Sequence, residues 1–250
     1  MWNHAEGRLG YEIGAKHTIG VVALTSLKRQ DMGIHTIYSG KSLGRLEEMY
    51  GDNGIDVLKY HVGVGHNIAR LDVALDFVNH GISVETFVQS WYANNCKTTL
   101  KSANIVKSLD SDDYTLYIGS QKRRKKLVRV YNKAAELGIS GNWVRVEAQI
   151  MGKPATTAGI ELSHSSDTRK AMLSVLRGIV DFTDVKVWNK VFEDVESVKV
   201  GSQSTQKGDT RDWLINQVIP SLAKEIVLDS AFWVQFNMFV ARETNRLMSS

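Results

Sequence analysis

Three short stretches of this chain alternate apolar and polar residues with the two-residue period of a strand, and their polar positions carry a phenol, an amine, guanidiniums and carboxylates. In Leu127-Val128-Arg129-Val130-Tyr131-Asn132-Lys133, Val128 and Val130 fall on one face and Leu127, Arg129, Tyr131 and Lys133 on the other. In Trp143-Val144-Arg145-Val146-Glu147-Ala148-Gln149, Val144, Val146 and Ala148 oppose Arg145, Glu147 and Gln149. In Arg70-Leu71-Asp72-Val73-Ala74-Leu75-Asp76-Phe77, the apolar set is Leu71, Val73, Leu75 and Phe77, and the polar set is Arg70, Asp72 and Asp76. If the three strands share one sheet, these polar groups meet on one surface. Such a set suits attack on a phosphodiester. A phenol, with an ordinary pKa of about 10, is a poor nucleophile at neutral pH unless a cation or base favours the phenolate. Oxygens of Asp72, Asp76 and Glu147 suit a hard cation, Mg²⁺ or Mn²⁺, able to polarise a phosphate oxygen.

The same residues admit plainer readings. A strand tyrosine usually packs, and Asp72 and Asp76 can instead pair with Arg70 and Arg145, as Glu147 can with a cross-strand cation. Lys122-Arg123-Arg124-Lys125-Lys126 is five cations in succession. It reads either as a solvated loop or, beside Tyr131, as a DNA-backbone contact that Arg145 extends. His35, His61 and His66 are scattered and could be extra ligands, bases or ordinary residues.

Positioning these groups requires an ordered sheet. Residues 11–24 read as strand material, with 17–24 a β-branched run, and 33–39 as the next strand. A short helix is expected over 42–50 and a turn over 51–54. Gly40-Lys41-Ser42 is no phosphate loop, because His35 stands where that motif needs glycine. Ser83 can cap a helix to about Ala93 that buries Phe87, Val88, Trp91 and Tyr92. Residues 100–113 are polar and read as a connection. A strand follows over 114–120, then a basic hairpin tip over 121–126. Beyond Pro154 the spacing becomes helical, with Met172, Val175, Leu176, Ile179 and Val180 in one stripe after a cap at Ser166 or Asp167, and no further strand is expected. Residues 201–208 read as a linker, followed by a helix from Thr210 that Pro220 kinks and a last helix over 231–247.

In its motifs and their order, the chain resembles the replication initiation factors of rolling-circle plasmids and phages, a family that includes relaxases of small conjugative elements. Arg70-Leu71-Asp72 with Asp76 is similar to the family's R-x-D-x-x-x-D strand, and Tyr117-Ile118-Gly119-Ser120 to its Y-I-G-S hairpin. Val130-Tyr131-Asn132-Lys133 with Glu136 is similar to its Y-N-K segment, Val144-Arg145-Val146-Glu147 to its R-V-E strand, and Gly208-Asp209-Thr210-Arg211-Asp212-Trp213-Leu214 to a late segment. The resemblance implies an α+β fold with an antiparallel central sheet and a helical C-terminal third. It also implies a nick in one strand of origin DNA, single-stranded or extruded as a hairpin, with a 5′-phosphotyrosyl link to Tyr131 and a free 3′-OH. A homodimer, and a host helicase and polymerase as partners, belong to the same expectation. The chain has no His-x-His pair of the kind better-known nicking enzymes use for metal, so carboxylates would have to serve. A transfer relaxase, a DNA-binding protein without nicking, and a nuclease in which water attacks remain alternatives.

The 250 residues, 43% hydrophobic with two prolines, describe an ordered globular chain. The expected division is a nicking part over 1–155 and a helical part over 156–250 packed on it, the two being either separate or one continuous domain. Lys+Arg 31 against Asp+Glu 27 gives only +4, so the basicity is local. The single cysteine, Cys96, excludes an intrachain disulfide. No apolar run approaches the ~18 residues of a membrane span, and a cytoplasmic protein is expected.

Overall fold

The structure, a computed structural model, describes residues 1–107, 113–121, 125–198 and 200, together with the isolated positions 238, 240 and 242. Residues 1–200 form one compact unit and 201–250 a second. The expected linker and the helix expected from Thr210 lie outside the described residues; of the expected last helix only positions 238, 240 and 242 are described, and they are helical.

The first unit opens with a four-stranded antiparallel meander of β1 (Trp2–Glu6), β2 (Ile13–His17), β3 (Val22–Thr25) and β4 (His35–Ile37). The stretch read as strand material over 11–24 holds β2 and the start of β3, and its β-branched run over 17–24 contains the corner between them. Gly20 sits at φ +98 and its N–H bonds the His17 carbonyl at 2.8 Å, a turn geometry that favours glycine over β-branched neighbours. Two helices follow, α1 (Gly40–Tyr50) and α2 (Gly54–Gly63). Ser39 and Asn53 start them, each through a reciprocal capping box, with Ser42 and Asp56 respectively.

The central sheet has the order β5 (Arg70–Val78), β10 (Trp143–Met151), β9 (Lys126–Asn132), β8 (Tyr114–Ile118), β7 (Ala103–Lys107), all antiparallel. Strand β7 lies in the stretch expected as a plain connection. Four of its five residues are exposed, which is why its sequence carries no burial signal. Between β5 and β7 run α3 (Val84–Tyr92) and β6 (Cys96–Thr98). Helix α3 buries Phe87 and Val88, whereas Trp91 is half-buried and Tyr92 exposed, short of the four expected. After β9 comes α4 (Lys133–Leu137), and after β10 come α5 (Lys153–His164), α6 (Thr168–Arg177), β11 (Val180–Phe182) and α7 (Lys186–Val191). Asp167 caps α6, its side chain accepting from Lys170 N–H at 2.9 Å. Contrary to expectation, a strand does occur beyond Pro154: β11 pairs with β6.

The alternation read from the sequence decides which way the central sheet faces. Val73, Phe77, Val144, Val146, Ala148, Ile150, Val128, Val130, Leu116 and Ile118 are buried and belong to one core. Helices α3, α5 and α6 pack against these strands. The core continues into an aromatic cluster of Phe77, Phe87, Phe182, Phe192 and Trp188, with Trp188 stacked on Phe192 at 4.3 Å. Thus α5 and α6, which the expected division assigned to the helical part, cover the sheet inside the first unit. The opposite face is left for chemistry.

Candidate active site

Strand register sorts the polar face into rows. Asp76 lies opposite Arg145, and Arg145 opposite Tyr131. One row along, Ala74, Glu147, Arg129 and Tyr117 are in line, and in the next, Asp72, Gln149 and Leu127. Antiparallel neighbours stand ~4.5–5.5 Å apart, so each row is a line of touching side chains. Arg129, Tyr131, Arg145, Asp72, Asp76 and Glu147 are therefore on one surface. Lys133 is not on the strand as expected, because Asn132 ends β9 and caps α4, its side chain accepting from Ala135 N–H at 3.2 Å. Lys133 is the first residue of that helix, and its ammonium still lies 5.9 Å from the centre of the Tyr131 ring. It also pairs with Glu136.

At the middle of the surface, Tyr131 Oη donates to Glu147 Oε2 at 3.0 Å, and Arg129 Nη2 donates to Glu147 Oε1. Glu147 is only 7% exposed, so its two oxygens find their partners within the sheet. The Arg129 guanidinium lies 5.8 Å from the Tyr131 ring centre, and its Nε–H is buried with no partner. Burial first, and the Glu147 charge second, push the Tyr131 phenol up to about 12, while Arg145 pulls the other way. Around Asp76, Arg145 forms a two-pronged pair, Nε and Nη2 each donating at 2.7 Å, and Trp143 Nε1 adds a third bond at 2.8 Å. Burial would raise the Asp76 carboxyl, but Arg145 and Trp143 outweigh it and hold the group below its ordinary range. Asp72 is bound by Arg70, with Nε at 2.8 Å.

This pairing bears directly on the expected Mg²⁺ or Mn²⁺ site. Asp72 and Asp76 are four residues apart on an extended strand, about 13 Å, too far to share an ion. Each of the three carboxylates is closed by its own arginine, Arg70, Arg145 or Arg129. Among the described residues no group of three or more His, Cys, Asp and Glu is close enough to hold a metal. Asp72, Asp76 and Glu147 thus do not fit a preformed cation cage, and what these residues can do unaided is acid-base and electrostatic chemistry.

Of the cationic run, Lys122, Arg123 and Arg124 lie outside the described residues. Lys125 is exposed beside the strand. Lys126, expected on the DNA-facing tip, is instead the first residue of β9. Its half-buried ammonium donates to the Val200 carbonyl and is shifted down by burial. Arg145, expected to extend that run, sits at the Tyr131 row. Trp143 is a site residue that the alternation alone does not single out, although it continues the two-residue spacing of Arg145 and Glu147. The histidines lie elsewhere: His61 and His66 bond each other, His61 also bonds Tyr38, and His35 stacks on Tyr11. Burial first, and the neighbouring His66 second, shift the His61 imidazole downward.

The antiparallel α+β fold is one that a solved structure shares. A rolling circle replication initiator protein from Geobacillus stearothermophilus has the same fold, with a TM-score of 0.61 and 21% identity over 80% of this chain and 78% of that one. No curated protein matches the sequence. The profile of the replication initiation factor family matches residues 66–240, and the chain belongs to that family.

Proposed function

We propose that this protein initiates rolling-circle replication by nicking one strand of origin DNA, with Tyr131 as the nucleophile. The observation that carries this reading is the Tyr131–Glu147–Arg129 contact: a phenol donating to a carboxylate that a guanidinium holds in place. In the proposed step Tyr131 Oη passes its proton to Glu147 and bonds to phosphorus. The P–O3′ bond breaks, and the departing 3′-oxygen takes up the proton from Glu147, relayed through water. The phosphate stays on Tyr131 as a 5′-phosphotyrosyl diester, leaving a 3′-OH for a polymerase. Arg129, whose guanidinium lies 5.8 Å from the Tyr131 ring centre, binds the phosphate charge that grows in the transition state, and Lys133 adds a second cation. Asp76 and Trp143 fix Arg145 against the Tyr131 row.

In this reading residues 1–155 supply the chemistry and 156–250 the helical part. The protein works in the cytoplasm, as a homodimer on single-stranded or hairpin-extruded origin DNA. Lys122, Arg123, Arg124 and Lys125 grip the DNA backbone, and a host helicase and polymerase follow the nick. No helix among the described residues is long and apolar enough to cross a membrane. A relaxase of a mobile element would use the same chemistry, and the substrate assayed separates the two. Incubation with a supercoiled plasmid carrying the protein's own replicon tests the proposal. Open circles bearing covalently attached protein, released by protease, are expected; circles free of protein would mean that water attacks.

A further inference from the structure

Helix α2 ends in a Schellman motif. His66 N–H bonds the His61 carbonyl at 2.9 Å, Gly65 N–H bonds the Val62 carbonyl at 3.0 Å, and Gly65 takes the left-handed conformation at φ +77. This motif brings the side chains of its two outer residues together, usually as an apolar contact. Here both positions are imidazoles. His61 Nδ1 and His66 Nδ1 face each other at 2.8 Å, and His61 Nε2 is 3.0 Å from the Tyr38 hydroxyl. The loop that carries His66 is itself tied down, since Thr156 Oγ1 bonds Asn67 Oδ1 at 2.6 Å and the Ile68 carbonyl at 3.1 Å.

We propose that His61 and His66 form a binding site for a borderline divalent metal ion of the Zn²⁺, Ni²⁺ and Cu²⁺ class. With the His61 proton on Nε2, toward Tyr38, and the His66 proton also on Nε2, each Nδ1 keeps a lone pair, and the two can share an ion in place of the hydrogen bond between them. Two imidazole nitrogens at metal-ligand distance, ~2.0–2.1 Å, stand about 2.9 Å apart at a right angle and about 3.4 Å apart at the tetrahedral angle. The observed 2.8 Å therefore needs to open by only a few tenths of an ångström. Tyr38 plays the part of the outer group that fixes a ligand histidine's tautomer and ring orientation. Two nitrogen donors favour these ions over Mg²⁺ or Ca²⁺, and exposed His66 leaves the remaining positions to water. A bound ion clips the end of α2 to the residues that lead into β5 at Arg70.

The test is calorimetric titration of the full chain with ZnCl₂ in a non-chelating buffer, alongside His66→Ala, His61→Ala, Tyr38→Phe and His17→Ala. One equivalent should bind wild type, binding should vanish in either histidine variant, and Tyr38→Phe should weaken it by roughly 10- to 100-fold. His17→Ala should bind as wild type does; it controls for the other nitrogen pair, the Met1 amine 3.1 Å from His17 Nε2. Should a histidine variant unfold, ¹⁵N imidazole spectra of wild type decide, because zinc must move the Nδ1 signals of His61 and His66. Binding that survives His66→Ala, follows His17, or leaves those signals unmoved overturns the proposal.

Discussion

Tyr131 keeps its proton in the resting state, since burial and the Glu147 charge both raise its pKa. Its reactivity then depends on the cations beside it once a phosphodiester arrives. Arg129 is the closest match to that task, because its guanidinium both holds Glu147 and lies 5.8 Å from the Tyr131 ring centre. Arg129→Lys keeps the charge but loses the planar fork. We expect it to slow single-turnover nicking by roughly 10²- to 10³-fold, the usual loss for one preorganised donor, with DNA affinity nearly unchanged. Lys133→Ala should act in the same direction but more weakly, since Lys133 also serves Glu136 and sits at a helix start. The residue types at the site are legible in the sequence from alternation alone. The pairing is not, because alternation says which face a side chain takes and only register says which arginine it meets. That is why a shared metal cage is a reasonable expectation for Asp72, Asp76 and Glu147, whereas the strand sets the two aspartates four residues apart and an arginine closes each carboxylate.

Elements long enough to show a full period are readable: β5, β9, β10 and α3 lie where their apolar spacing puts them, whereas α6 stops at Arg177, so that Ile179 and Val180, read as the end of its stripe, fall in a turn and in β11. Elements of three residues, such as β6 and β11, have no period to read. Helix α2 starts and ends on glycine, which blurs its pattern into the turns around it. Position 178 is a second case where sequence gives no warning. Gly178 has an ordinary helical backbone, yet a Cβ there would lie 1.7 Å from the Val198 carbonyl oxygen. Gly178→Ala should destabilise the protein although alanine favours helix, and a lowered melting temperature would check this. Trp188→Ala removes the centre of the aromatic cluster, and its side chain is fully buried. The expected cost is about 3–5 kcal/mol, seen as a drop in Tm of roughly 10 °C. Both substitutions should leave the strand register, and so the site's geometry, intact at low temperature.

For the molecule as a whole, two dependences on conditions follow. The Asp76 carboxyl is held below its ordinary value, so it contributes stability that is fully present above about pH 4 and disappears as pH falls through its folded-state value. Asp76→Asn should therefore flatten the acid limb of a stability–pH curve while changing little at neutral pH beyond removal of the ion pair, worth about 0.2–1 kcal/mol. Neutralising Lys122, Arg123, Arg124 and Lys125 together should weaken binding to DNA of any sequence. It should also reduce the slope of log affinity against log salt by roughly 0.7–0.9 for each phosphate no longer neutralised, whereas Lys126, tied to Val200, should contribute little. An unchanged slope would return the run to solvent.

The central claim is that Tyr131 attacks phosphorus. The direct measurement uses an origin oligonucleotide carrying a radiolabelled phosphate at the cut, incubated with wild type and Tyr131→Phe and resolved on a denaturing protein gel. That substitution deletes one oxygen and keeps the ring that packs on Arg129 and Lys133. Label should move onto wild type, and a phosphopeptide containing residue 131 should carry it, while Tyr131→Phe stays unlabelled yet binds the oligonucleotide as tightly. Label on Tyr131→Phe would instead point to another tyrosine, with Tyr117, opposite Arg129 on β8, the first to examine. Cutting by wild type without any labelled protein would contradict the account outright.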